Sequence, residues 1–296
     1  MSRPKPPKAV LETLRKEVNF GCPVENCGIP YLTWHHFDPP YHVKAHNNPE
    51  GMIALCPTHH SLAEGGRWTL EQLHDMKINP YLKDKDVVDE FGYLRNLITC
   101  DFGILTVNCR NLLEILDETI IGFNIDNEGY YRLNLLIRDE YGNVILLMEN
   151  NFWIVISKNI FDLRCSAQGR ELQIISKSKK INFTLRFDEY KAGGFKGKLL
   201  YDEVRRHEKR FGHPITKEEL EHTRKGIYDM YQMFPDYSYI PVFKFRGRLI
   251  HYNHEVVIKD NLLITHNLQF FDHIAITNAK TAIKISEEET IVGVPW

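Results

Sequence analysis

Cysteine and histidine crowd into one short stretch of this chain. Cys22, Cys27, His35, His36, His42, His46, Cys56, His59 and His60 all fall between residues 22 and 60. That density constrains the fold more than any other feature. A stretch with so few apolar residues gains its stability from cross-linking or from metal. Clustered cysteines in a chain read as cytosolic point to metal rather than disulfides. Two short-spaced pairs stand out: Cys22 with Cys27, and Cys56 with His59. A structural zinc is held by four soft or borderline donors delivered as two such pairs. A Cys3His Zn2+ site of Cys22, Cys27, Cys56 and His59 is therefore expected, contributing directly to folding.

The remaining histidines form a second set. Adjacent residues on a strand point to opposite faces, so a turn at the strand end is needed to bring His35 and His36 to one edge. His59 and His60 diverge by about 100° on a helix, so the first can serve the zinc and the second another ion. Phosphodiester cleavage needs a base, a cation for the developing charge and groups that orient both. His36 suits the base, since imidazole titrates near neutral pH. His35 and His60 suit a divalent ion: Mg2+ or Mn2+, with Ni2+ or Zn2+ as further candidates. Asp38 is a candidate additional ligand or a turn residue. His42 and His46 are expected on an exposed loop.

The order Cys…Cys, His-His, Asn, then Leu-Cys-x-x-His-His resembles the HNH endonuclease superfamily, over about residues 8–80. The resemblance is closest to bacterial HNH-signature proteins sharing His-His-Phe-Asp-Pro-Pro and Asn-Pro-Glu-Gly-Met-Ile-Ala-Leu-Cys. It implies a ββα-metal fold, His36 as general base, and His35 and His60 as metal ligands. Two positions depart from the pattern. His59 stands where the motif has its second cysteine, and Gly51 stands where its middle asparagine falls. Asn48 is the nearest substitute and is carried as a catalytic-site residue that braces the base loop.

The rest of the chain reads differently. Residues 7–19 place Val10, Leu11, Leu14 and Val18 on one helical face. Residues 57–64 open a helix stopped by Gly65 and Gly66, and Thr69 with Gln72 predicts a capped helix over 69–77. Beyond residue 93, strand-like runs at 107–116, 130–137, 144–148, 153–156, 172–175 and 181–187 alternate with turn signals, suggesting an antiparallel meander or sandwich. Residues 191–198 read as a flexible basic loop, and 199–211 and 216–234 as helices. The expected class is α+β: a small N-terminal zinc-stabilised domain at 1–80, a linker at 81–92, and a larger β-rich domain at 93–296 with a helical insertion at about 199–234. Cys100, Cys109 and Cys165 are expected to be buried free thiols. Tyr130, Tyr131, Phe152 and Trp153 are expected in the core, and His251, His254, His266 and His273 as ordinary strand or loop residues.

Charge bears on partners. The net charge is −2 across 296 residues, and residues 1–80 hold eight basic and eight acidic side chains. A nucleic-acid partner, expected to be double-stranded DNA, must then be met by local clustering. Lys196, Lys198, Arg205, Arg206, Lys209 and Arg210 are the sequence's candidates for phosphate contact. No apolar run is long enough for a membrane helix and no signal-peptide core follows the basic N-terminus, so no membrane partner and a cytoplasmic location are expected. Homodimerisation would run through the β-rich domain. The competing reading is a non-catalytic zinc-stabilised module that binds nucleic acid or protein.

Overall fold

The computed structural model describes residues 6–231, 238–259, 262–265, 269–271, 275–277, 279–287 and 289–295. His266 and His273 lie outside them. The architecture is mixed α and β.

The N-terminal elements are α1 (Lys8–Glu17), β1 (Thr33–His36), β2 (Met52–Leu55), α2 (Pro57–Glu64) and α3 (Leu70–Ile78). β1 and β2 pair antiparallel, with His35 opposite Ile53 and His36 opposite Met52. Leu14 and Val18 from the apolar face of α1 pack with Met52–Leu55, Leu73 and Cys56 in a small core. Local signals set the ends. Pro57 opens α2, where a missing N–H costs nothing, and the Cys56 sulfur accepts from the His59 N–H. Thr69 and Gln72 form a reciprocal capping box on α3. Lys77 ties α3 back to the Pro49 and Met52 carbonyls and to Glu17.

The remainder holds strands β3 (Val87–Glu90), β4 (Thr99–Asp101), β5 (Leu105–Val107), β6 (Asn111–Ile115), β7 (Glu118–Ile125), β8 (Tyr131–Arg138), β9 (Val144–Glu149), β10 (Phe152–Val155), β11 (Ile160–Cys165), β12 (Glu171–Ser176) and β13 (Asn182–Lys191). Two helices follow, α4 (Ala192–Phe211) and α5 (Lys217–Tyr231). Strands then return as β14 (Tyr239–His251), β15 (His254–Lys259), β16 (Leu262–Ile264), β17 (Gln269–Phe271), β18 (Ala275–Thr277), β19 (Thr281–Ile285) and β20 (Thr290–Val294). One sheet runs β20-β19-β6-β7-β8-β9-β10-β3, and a second runs from β11 to β17 with β4, β5 and β18 attached. Their inner faces share one core: the Phe123 ring of the first sheet lies 5.5 Å from Phe243 of the second. β6 to β10 form the expected antiparallel meander.

Three expectations are corrected. The segment 81–92 is not a plain linker, because β3 pairs with β10 and Leu82, Val87 and Phe91 are buried in the large core. Residues 192–198 are not a loop; they are the first two turns of α4. Phe195 anchors them among Leu97, Val107, Ile240 and Val242, and that burial overrides the poor helix propensity of three glycines. β7 and β11 went unread. In β7, Gly122 resembles a turn signal, but a Cβ there would meet Thr119 Cγ2 at 2.7 Å and Asn111 Oδ1 at 2.9 Å, so the glycine permits close strand contact.

The N-terminal part is fastened to the β-rich part by a buried ion pair. Arg15 Nε and Nη2 each donate at 2.8 Å to the carboxylate of Asp162 on β11, which is fully buried. Arg164 donates to the same carboxylate at 2.6 Å.

Candidate metal centre

Two donor groups form around α2. In the first, Cys22, Cys27, Cys56 and His59 bring their ligand atoms within 4.8 Å of one another. His59 Nδ1 is 3.2 Å from Cys22 Sγ and 3.4 Å from Cys56 Sγ, and Cys27 Sγ is 3.9 Å from Cys56 Sγ. A disulfide needs about 2.05 Å between sulfurs, so this pair is not one. A tetrahedral ion with bonds of about 2.3 Å to sulfur separates two sulfurs by about 3.8 Å. The four donors therefore fit a tetrahedral metal ion. Burial pushes the Cys22 and Cys27 thiols up, which disfavours thiolates unless a cation is present. Burial, with Arg67 nearby, pushes His59 down, keeping its imidazole neutral and able to ligate.

The second group is His35, His60 and Glu64, again with ligand atoms within 4.8 Å. The His35 and His60 rings stand edge to face at 5.3 Å, and His60 Nε2 is 3.6 Å from Glu64 Oε1. Thr33 sets the His60 tautomer. Its hydroxyl donates to the Leu55 carbonyl at 3.0 Å and so accepts from His60 Nδ1 at 2.9 Å, which leaves the lone pair on Nε2, toward Glu64. Such outer partners commonly orient metal-binding histidines.

His36 stands beside this group. β1 ends at His36 and the chain turns at Phe37, so both imidazoles line one cleft of about 350 Å³, together with Tyr41, Glu64 and Trp68. His36 Nε2 lies 3.1 Å from the His46 carbonyl. A carbonyl only accepts, so Nε2 carries the proton and Nδ1 the lone pair. His46 is a brace rather than a loop bystander. Its Nε2 donates to the Pro39 carbonyl at 2.9 Å, and its Nδ1 accepts from the Asn48 N–H at 3.1 Å.

Asn48 is not placed at the reacting groups. Its Oδ1 caps the Pro49–Gly51 turn by accepting from Glu50 N–H at 3.2 Å. It acts on His36 only through His46 and is a positioning residue. Asp38 lies 3.8 Å from His74 and outside both donor groups, and His42 is exposed. Three contributors escaped the sequence reading, and two of them had a signal. Glu64 is four residues beyond His60 on the same helical face. Thr33 is two residues before His35 on the strand. His46 had no spacing signal.

The basic stretch of α4 makes contacts within its helical hairpin. Lys196 Nζ lies 4.8 Å from the Tyr228 ring centroid, Lys198 pairs with Asp202, and the Arg205 guanidinium lies 5.7 Å from the Tyr201 ring. The side chains of Arg206, Lys209 and Arg210 are outside the described set. Cys100 and Cys109 are buried thiols and Cys165 is half-buried. Trp153 is in the core and Tyr131 packs against it, but Phe152 and Tyr130 are exposed. His251 is buried on β14, 2.9 Å from Glu118. No helix among the described residues is long and apolar enough to cross a membrane.

No family model, curated protein or solved structure matches this chain.

Proposed function

We propose that the chain is a metal-dependent endonuclease of the HNH type, built on an N-terminal ββα-metal unit, that hydrolyses phosphodiester bonds in nucleic acid, with DNA as the expected substrate. The observation that carries the proposal is the convergence of His35, His60 and Glu64 in one donor group, two of whose members, His35 and Glu64, line the same open cleft as His36. A structural clamp of soft donors and a separate cluster of imidazole and carboxylate meet at one short helix, which suits two ions with different tasks.

The Cys3His group suits Zn2+, which would hold the loop at 22–27 against the start of α2. His35, His60 and Glu64 suit a second divalent ion, which when bound would supply Lewis-acid stabilisation of charge developing on the phosphate. His36 is the group that would take the proton of the attacking water as the new P–O bond forms and the ester P–O bond breaks, the leaving oxyanion taking its proton from solvent. The His46 carbonyl, hydrogen-bonded to Nε2–H, stabilises the resulting imidazolium and holds the ring in place. Thr33 keeps His60 in the tautomer that ligates through Nε2.

The test is plasmid nicking by the purified full chain with Mg2+, Mn2+, Ni2+ or a chelator. Divalent-dependent nicking that disappears in His36→Ala, with zinc content and melting temperature preserved, supports the proposal. Equal nicking by that variant removes it.

A further inference from the structure

Among the described residues, no lysine or arginine lines the cleft at His35 and His36. The net charge is −2. A polyanion must therefore be gathered by charge placed elsewhere.

That charge lies along the seam between α1 and the β-rich part. The ring of Phe161 on β11 has Lys16 Nζ 3.4 Å from its centroid and Lys179 Nζ at 3.8 Å. Lys16 comes from α1, and Lys179 from the turn joining β12 to β13. Lys177 N–H donates to the Asn159 carbonyl at 3.3 Å, which sets the Lys177 backbone next to the residue that follows Lys158. The Lys85 carbonyl accepts from Ser157 Oγ at 3.0 Å and from Asn19 Nδ2 at 2.8 Å, which brings the Lys85 backbone to the same seam, and its Nζ stands 3.9 Å from the Tyr81 ring centroid. Lys180 completes it. All six lysines are exposed. Glu12 pairs with Lys16 at 2.8 Å; Asp84 and Asp86 flank Lys85, and Asp86 accepts from the Ser157 N–H at 3.0 Å.

Two features set this ridge apart from an ordinary solvated face. Its ammonium groups come from four separate stretches of chain, so helical or strand periodicity does not account for them. Lys179 also adopts φ 63°, in the left-handed region. Glycine or asparagine occupies that region with less strain. The fold keeps a lysine there against local backbone preference and against repulsion from its neighbours.

We infer that this ridge is the docking surface for the phosphate backbone of a nucleic acid. Six charges strung along an open strip fit an extended polyanion rather than a compact anion. Lysines, as point charges without the planar fork of arginine, fit contact with phosphates irrespective of base sequence. The ridge and the cleft share one packed unit. Lys16 follows Arg15, whose guanidinium stands 5.9 Å from the Trp34 ring, and Trp34 precedes His35. The choice of nucleic acid as the polyanion rests on the nuclease reading; the ridge itself does not.

The experiment measures binding of labelled duplex DNA to the full chain carrying His36→Ala, by anisotropy across a salt series. Replacing Lys177, Lys179 and Lys180 together by Gln should weaken binding at least tenfold at low salt. It should also flatten the plot of log affinity against log salt by about 2 to 3, since each lost phosphate contact contributes about 0.9. Lys179→Gly alone should raise the melting temperature and weaken binding, opposite signs that a purely structural role would not produce. Unchanged affinity and slope in the triple variant would overturn the inference, as would loss of binding only when Lys191, at the end of β13, and Lys196 and Arg205 on α4 are replaced. Co-sedimentation with phosphatidylserine vesicles without DNA binding would overturn it too. Nicking by the parent chain, measured separately, keeps the two readings apart. Loss of binding in the triple variant with no nicking by the parent retains the ridge and removes the nuclease. Nicking by the parent with undiminished binding does the reverse.

Discussion

His59 and His60 are neighbours on α2, yet His59 Nδ1 lies 3.2 Å from Cys22 Sγ while His60 Nε2 lies 3.6 Å from Glu64 Oε1. One helical step of about 100° sends consecutive imidazoles into two different donor groups. The two groups should therefore fail independently. Cys56→Ser should lose the zinc and unfold the N-terminal unit, because structural zinc binding of this kind is worth on the order of 10 kcal/mol. His60→Ala should keep both zinc and fold and lose cleavage. Metal analysis beside thermal melting checks both outcomes; a Cys56→Ser protein with full zinc content contradicts the assignment.

The Thr33 hydroxyl offers a finer test. Thr33→Val keeps the side-chain shape but removes the acceptor for His60 Nδ1–H. Loss of such an outer partner typically costs about 10- to 100-fold in metal affinity or activity. A titration of nicking against Mn2+ should shift to higher concentration by that factor, while Thr33→Ser restores the parent curve. An unshifted Thr33→Val curve would show that the hydroxyl does not set the tautomer.

The donor set also predicts ion preference. Two imidazoles and one carboxylate suit Mn2+, Ni2+ or Zn2+ better than Mg2+, which favours oxygen donors and retains its waters. Nicking at equal ion concentration should be faster with Mn2+ or Ni2+ than with Mg2+. Glu64→Gln should lower activity with every ion and widen that difference, because it removes the one hard oxygen donor that suits Mg2+. Highest activity with Mg2+ in the parent protein would indicate that the imidazoles are not ligands.

Much of the metal region was legible because its chemistry depends on short-range spacing. Cys22, Cys27, Cys56 and His59 meet as two close pairs, and the turn after His36 brings both strand imidazoles to one cleft. What escaped depended on long-range placement. His46 braces His36 across ten residues of irregular loop, a contact no local pattern encodes. The charge on α4 is prominent in sequence; in the fold Lys198 pairs with Asp202, while Lys196 and Arg205 stand near the Tyr228 and Tyr201 rings. The lysine ridge, assembled from stretches distant in the chain, was invisible until strand pairing brought them together. The segment at 81–92 read as a linker because Lys83, Asp84, Lys85 and Asp86 mask the apolar Leu82, Val87 and Phe91 that anchor it.

The ion pairs on the outer face of the second sheet make stability depend on pH in a defined direction. Burial alone would raise the carboxyl of Asp188, but hydrogen bonds and charge from Lys244, at 2.6 Å, and Arg186, at 3.0 Å, outweigh it and hold Asp188 below its ordinary value of 3.8. Lys244 is shifted the other way: burial would lower its amine, and Asp188 with Tyr190 raises it. A carboxyl whose pKa is lower folded than unfolded binds fewer protons in the native state. Its contribution is therefore fully present above about pH 4 and is lost as pH falls through the folded value. Asp188→Asn should destabilise the protein to urea near neutral pH, where it strands Lys244 in a half-buried site. The gap between variant and parent should close as the solution is acidified below pH 4. A gap that stays constant down to that range would show that the Asp188 charge contributes nothing and that the cost is one of packing.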